Sequence, residues 1–251
     1  MLNSAGRPQL AVYLLIVSVK QTAVHESHSI MLRCCRAAQL WPCFAGLLHN
    51  WGVGLYELGT QAAAASDLAT AESALAEATT RLEASIGFSR ADVAPMNALG
   101  DVWLARAEQS ADVQSAAAAA GAALQAGYRA ALRVLATDSD ALIGTAEAHT
   151  LLARLASQTG DRASSAGHFQ QSDAAYRAAL QRPTTLGSLD DRCNVRYNYA
   201  CVCAALGKFE EARSLLQSLL AIGGTSREDL SADQDLSPLR TLPWFSKLVQ
   251  K

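Results

Sequence analysis

Residues 196–224 read RYNYACVCAALGKFEEARSLLQSLLAIGG, and this stretch decides the fold. Two apolar-periodic segments flank Leu206-Gly207-Lys208. The first ends at Gly207, because glycine readily takes the left-handed backbone that closes a helix C-terminus. The second begins near Phe209 with Glu210 and Glu211 in its first turn, where the positive end of the helix dipole attracts carboxylates. Ala212, Leu215, Leu216, Leu219 and Leu220 follow at steps of three and four, the signature of one helical face. The spacing predicts an antiparallel helical hairpin.

The rest of the chain shares the hairpin's composition. Of 251 residues, 50 are Ala and 35 are Leu, while only six are Pro. Ala and Leu lead the helix-propensity scale, so the class is all-α, and collagen-like, β-rich and disulfide-dense architectures are excluded. Half the residues are apolar and 18% are charged, which excludes a wholly disordered chain. Proline is absent from Met96 to Arg182. Helices stacked through tight turns tolerate so long an unpunctuated stretch, and such a pattern calls for internal repeats.

Three further units follow from the frame of the last one. Small residues recur in Trp51-Gly52-x₂-Leu55, Leu99-Gly100-x₂-Trp103, Thr145-Ala146-x₂-His149 and Tyr199-Ala200-x₂-Cys203. The third is the weakest match. A small residue lets the two backbones of a hairpin approach. Second-helix partners are Ala71-x₃-Leu75-x₂-Ala78, Leu124-x₃-Tyr128-x₂-Ala131, Ser172-x₃-Tyr176-x₂-Ala179 and Ala212-x₃-Leu216. Together these resemble the tetratricopeptide repeat (TPR) pattern W-x₂-L-G-x₂-Y…A-x₃-F…P in degenerate form. The tail is similar to D-x-D-L-x-P-L-R-x-x-P-x-F, a segment that follows the last repeat of many TPR proteins. Asp233, Asp235, Leu236, Pro238, Leu239, Arg240, Pro243 and Phe245 carry that match.

The resemblance implies a right-handed α-solenoid of about four TPR-like hairpins, at 47–86, 92–136, 139–182 and 192–223, closed by a C-terminal capping segment. The small residues at 52, 100, 146 and 200 are more widely spaced than the standard repeat allows, and the excess lies inside the first three hairpins. Both helices of a unit are therefore expected to be extended, by about two turns each in the third, which keeps the apolar stripe in phase. The domain reading is an N-terminal extension over 1–46, a repeat domain over 47–223 and a cap over 224–251.

Residues 1–46 differ in kind from the rest, with four basic groups against one acid, and are set apart from the fold argument. Their apolar run Leu10–Val19 is about half the length of a membrane span. Three readings stand open: a signal-peptide core, an organelle transit peptide, or residues added by a mis-assigned start. The localisation reading is a soluble protein in a reducing compartment, cytoplasm or organelle interior, because six Cys without a framework spacing behave as small apolar residues.

Catalytic and cofactor motifs are missing from the sequence: no G-x-S-x-G, G-x-x-x-x-G-K or G-x-G-x-x-G occurs. His25-Glu-Ser-His28 lacks the zincin spacing. His149 and His168 lie on predicted helices without ligands at regular spacing, and read as surface or packing residues. The expectation is a non-enzyme with no cofactor, no metal and no catalytic residue. A net charge of −2 offers nucleic acid no basic stripe.

TPR arrays bind peptides or helices along their first helices, so the resemblance implies a wall formed by His49, Val53, Tyr56 and Glu57, then Asn97, Asp101 and Leu104, then Glu147 and Thr150, then Asn194, Tyr197 and Cys201. Its acids favour a neutral or mildly basic protein or peptide partner. Asp101 and Glu147 oppose a carboxylate clamp built on Asn50 and Asn198. The leading functional expectation is a scaffold, adaptor or assembly factor. The alternatives are a structural subunit or homo-oligomer packing through Ala-rich helices, and an accessory region of an enzyme.

Overall fold

The computed structural model describes residues 45–181 and 188–250. The N-terminal readings, including Leu10–Val19, the His25–His28 pair, Cys34, Cys35 and Cys43, fall outside the described residues, as does Pro183. Among the described residues all regular structure is helical. Two compact units divide between Leu135 and Ala136.

The first unit holds two hairpins. Helices α1 (Ala45–Ala64) and α2 (Leu68–Phe88) form one, while α3 (Ala94–Gln109) pairs with α4, which runs as Val113–Ala122, a π turn Ala123–Tyr128 and Arg129–Val134. Helix α3 also packs on α1 and α2. Leu47, Trp51, Leu55, Leu75, Leu82, Leu99 and Val102 make the shared core. The second unit repeats the plan. Its hairpins are α5 (Ser139–Gln158) with α6 (Arg162–Leu180) and α7 (Leu189–Ala205) with α8 (Phe209–Ala221). Helix α7 lies against both α5 and α6. These are the four antiparallel hairpins expected from the repeat spacing.

Each hairpin turns where the sequence marks a stop and a start. Asp67, Asp112 and Asp161 cap α2, α4 and α6 by accepting the backbone N–H of Thr70, Ser115 and Ser164. Gly160 and Gly207 take positive φ at the ends of α5 and α7, +79° and +72°. Ser188 and Asp191 close a capping box at the start of α7, satisfying two orphan backbone donors.

The extension is visible in helix length for both helices of the first and third hairpins. In the second it falls on α4 alone, in segments of 10, 6 and 6 residues, because α3 has only 16 residues and is no longer than α7. Helices α1, α2, α5 and α6 span 20, 21, 20 and 19 residues, against 17 and 13 for α7 and α8. A longer hairpin must bring its backbones together twice, and two helical turns on from each motif residue stands a second small one. Gly52 is followed by Gly59, Gly100 by Ala107 and Ala146 by Ala153, all buried. In the last unit the same step from Ala200 lands on Gly207, and there the helix ends.

The contacts are tight. A Cβ on Gly52 would lie 2.6 Å from Leu82 Cγ, one on Gly59 would lie 2.8 Å from Leu75, and one on Gly100 would lie 2.5 Å from the Tyr128 ring. At Gly127 the obstacle is backbone: a Cβ would sit 2.5 Å from Gly100 Cα. The π turn around Gly127 shifts the α4 register by one residue, which seats the glycine on α3 and the Tyr128 ring beside it.

The C-terminal segment covers the last hairpin. Helix α9 (Arg227–Ala232), a 3₁₀ turn (Gln234–Leu239) and α10 (Pro243–Gln250) place Leu230, Leu236, Leu239 and Phe245 in one core with Tyr199, Leu216 and Leu219. Arg240 donates to the carbonyls of Ser231 and Asp233 at 3.2 and 3.0 Å, holding the end of α9. A terminal repeat otherwise leaves one apolar face in water, and this segment removes it.

Gly127→Ala should cost about 3 kcal/mol, because backbone cannot retreat from the added methyl. Gly167→Ala, at a helix-interior position with nothing within 4 Å, should instead gain about 0.5–1 kcal/mol. Urea denaturation of the two variants tests the contrast, and equal effects would refute it.

Candidate protein-interaction site

Leaving aside Val53, Leu104 and Cys201, the other nine wall residues read from the sequence fall into two groups, one in each unit. In the first unit, His49, Tyr56 and Glu57 are half-buried on α1, with Tyr56 packed against the apolar core. On α3, Asn97 is buried, while Asp101 is exposed and accepts a hydrogen bond from the Tyr128 hydroxyl at 2.7 Å. In the second unit, Glu147 on α5 accepts from Asn198 Nδ2 on α7 at 3.3 Å. The Thr150 hydroxyl lies 2.9 Å from the Ala146 carbonyl and 2.8 Å from Ser172 Oγ. Asn194 is exposed, and Tyr197 donates to Asp233 Oδ2 at 2.6 Å.

Several of these side chains therefore also hold the scaffold together. Asp101 fixes the Tyr128 ring, Thr150 joins α5 to α6, and Tyr197 ties α7 to the C-terminal segment. Burial, then the Asp233 carboxylate, push the Tyr197 phenol up, so it stays a donor. Their partners Tyr128, Ser172 and Asn198 sit on other helices and Asp233 between α9 and the 3₁₀ turn, and no short-range spacing links each pair. One local signal was readable: Trp103 and Arg106 are three apart on α3, and the guanidinium lies 4.6 Å from the indole centroid while also pairing with Glu72. Its counterpart, Arg81 on α2 at 3.8 Å from the Trp51 ring on α1, crosses the hairpin.

His149 and His168, read from the sequence as surface or packing residues, are in contact. Their Nδ1 atoms lie 3.0 Å apart across the α5–α6 interface. Nothing in the chain pattern pairs them, because the repeat register aligns apolar positions and says little about polar ones.

Two polar clusters hold Cys and carboxylates close enough to suggest a metal: Asp173, Cys203 and Glu211, and Cys201, Asp233 and Asp235. Their chemistry points elsewhere. Asp173 is ion-paired with Lys208 at 2.6 Å and with Arg177 at 3.3 Å, and Glu211 with Arg177 at 2.8 Å. The Tyr199 hydroxyl is 2.8 Å from Glu211 and 3.2 Å from Asp173. Asp235 pairs with Arg154, and Asp233 accepts from Tyr197 and the Asp235 backbone. Burial pushes the Cys203 thiol up to about 12 and the Cys201 thiol higher still, so both stay protonated and are poor ligands. The clusters are pegs: the first locks α6, α7 and α8, and the second locks α5 and α7 to the tail.

Charge differs between the units. Residues 45–135 carry nine acidic and five basic side chains, whereas 136–251 carry thirteen and twelve. Two of those twelve, Arg182 and Lys251, fall outside the described residues, so the described parts of the two units carry net charges of −4 and −3. No described helix is long and apolar enough to cross a membrane.

Among solved structures, that of a thermophilic TPR protein from Thermus thermophilus superimposes with a TM-score of 0.56 at 16% identity, covering 98% of this chain and 99% of that one. The fold is a TPR-like helical repeat. No family model and no curated protein matches the sequence. TPR-like folds serve generally as protein-interaction scaffolds and are typically non-catalytic, an analogy at the level of fold.

In this TPR-like frame Asp173 is held by three partners, Lys208, Arg177 and Tyr199. Burial alone would raise its pKa, but Lys208 and Arg177 outweigh burial and hold it below the usual range. A depressed folded-state pKa stabilises above the unfolded value of 3.8, and the gain is lost as pH falls through the folded value. Asp173→Asn should thus cost about 1 kcal/mol at neutral pH, discounted because Lys208 and Arg177 are partly exposed. The cost should vanish as pH falls below that window, and a pH-independent difference in denaturation midpoint would refute the account.

Proposed function

We propose that the chain is a non-enzymatic scaffold or adaptor that holds a neutral or mildly basic protein segment against its first-helix faces. Supporting this reading is the stacking of α1 beside α3 and of α5 beside α7, each pair presenting a two-helix wall. His49, Tyr56, Glu57, Asn97 and Asp101 belong to the first wall, and Glu147, Thr150, Asn194 and Tyr197 to the second. We assign 47–223 as the repeat domain and 224–251 as its cap.

Exposed Asp101 and Glu108 on α3 favour the first wall for a basic segment. Along α3, Glu108 continues the stripe of Asn97, Asp101 and Leu104, and Glu57 stands on neighbouring α1. Complementary charge of this kind steers encounter and selects sequence more than it adds raw affinity. Half-buried Tyr56 and the Arg-stacked Trp103 supply rigid aromatic surface, the residue type that anchors interfaces.

Selection of a displayed random-peptide library on the full chain tests the proposal. Enriched peptides should carry net positive or zero charge. Glu57→Lys with Glu108→Lys should weaken the best of them about tenfold, roughly 1.4 kcal/mol, with unchanged helicity. Asp101 is spared because it also holds Tyr128. Failure to enrich, or binding indifferent to both reversals, would sink the reading.

A further inference from the structure

Polar pairs join α5 and α6 inside the third hairpin: Ser157 with Ser165 at 2.7 Å, Thr150 with Ser172 at 2.8 Å, and His149 with His168 at 3.0 Å. The hydroxyl pairs keep one protonation state across the ordinary pH range. The imidazoles do not, since an imidazole in water gains a proton near about pH 6.5. Their Nδ1 atoms face each other with ring centroids 5.2 Å apart, the geometry of one shared hydrogen bond. His149 is 5% exposed and His168 half-buried, so water offers little in exchange for that bond.

The shared bond requires unlike tautomers, one ring protonated on Nδ1 and the other on Nε2. A first added proton preserves it, because the charged ring still donates Nδ1–H to the lone pair of its neutral partner. A second added proton fills that lone pair. Two cationic N–H groups then oppose each other across 3.0 Å, a like-charge contact with neither donor satisfied. The charged and titratable groups of the packed helices are engaged in other bonds. On α5, Glu147 accepts from Asn198, and Arg154 pairs with Asp235. On α6, Asp173 is held by Lys208 and Arg177, and burial keeps the Tyr176 phenol neutral. On α7, Tyr197 and Tyr199 donate to Asp233 and Glu211, while Cys201 and Cys203 stay protonated thiols. Asp161, at the start of α6 beside exposed Arg162, acts electrostatically on His168 and offsets one added charge at most.

We infer that His149 and His168 form an acid-sensitive latch, which ties α5 to α6 while the pair carries at most one extra proton and releases them when a second is forced on. The folded latch takes up one proton, whereas the two imidazoles of the unfolded chain take up both. Unfolding therefore consumes one more proton below about pH 6.5, and stability is lost as pH falls through that value. Each further pH unit then costs about tenfold in the unfolding equilibrium constant. The loss belongs to the third hairpin, because the latch lies between its two helices.

Nuclear magnetic resonance of the full chain carrying isotopically labelled histidine tests the latch directly. Near neutral pH, the expected spectrum shows a nitrogen–nitrogen scalar coupling between the two Nδ1 atoms, transmitted through the shared hydrogen bond, and acid should abolish it. Urea titrations then compare the unaltered chain with His168→Gln. A Gln amide can present either a donor or a carbonyl acceptor to His149, so the variant satisfies that ring in both of its charge states. The ratio of the two unfolding constants should therefore change about thirtyfold between about pH 7.5 and about pH 5, with acid weakening the unaltered chain more. Burial of His149 alone would give both proteins the same pH dependence. Absence of the coupling, or a ratio that stays constant with pH, would each overturn the inference, and the coupling decides the matter even where the variant fails to fold.

Discussion

Two helices of a hairpin come together only as far as the residues between them permit, and small residues two turns apart set that distance here. Gly52 with Gly59, Gly100 with Ala107, and Ala146 with Ala153 leave room for the facing helix along the whole length of an extended hairpin. Each of the three glycines is matched by a large side chain or by backbone: Leu82 and Leu75 over the first pair, Tyr128 and Gly127 over Gly100. In the first three units the first helix runs on past the second small residue. In the fourth unit the corresponding place is Gly207, whose left-handed conformation terminates the helix, and the hairpin there keeps a shorter length.

Within this common frame the hairpins are sealed by different chemistry. The first closes over leucine. The second uses a tyrosine ring and a π turn, which trades one regular hydrogen-bond register for a close backbone crossing. The third uses hydroxyl and imidazole pairs, so its interface gains less from apolar burial and more from hydrogen bonds, each of which contributes only modestly on balance. Fully buried alanines stand at 146 and 153, where the first hairpin has glycine. This is why the third unit matches the repeat pattern least well while its backbone follows the same plan.

The fold was legible because its determinants are local. Small-residue spacing, the glycine at 207, the Asp-led helix starts and the tail motif from Asp233 to Phe245 each act within a few turns of chain, and each has the consequence its chemistry predicts. Pairings were not legible. His149 meets His168, Tyr197 meets Asp233, and Tyr199 reaches Asp173 and Glu211 because antiparallel packing brings distant positions level. A register built on apolar positions fixes where backbones lie without saying which polar side chains will face each other. The candidate wall shows the same limit: Asp101 and Thr150 look like ligand-facing residues when helix position alone is considered, and both turn out to have partners inside their own hairpin.

That double use bears on how such a wall could recognise anything. A side chain already held by a neighbour loses little rotamer freedom when a ligand arrives, which lowers the entropic cost of binding. Asp101 held by Tyr128 and Glu147 held by Asn198 are preorganised charges of this kind, whereas a free surface carboxylate must be ordered at the moment of contact. The same holding bonds also limit what the charges offer, since an acceptor already engaged presents only its remaining lone pairs. A wall of engaged carboxylates therefore suits a partner that approaches with diffuse positive charge along its length better than one that inserts a single buried ion pair, whose desolvation would have to compete with contacts the fold already makes.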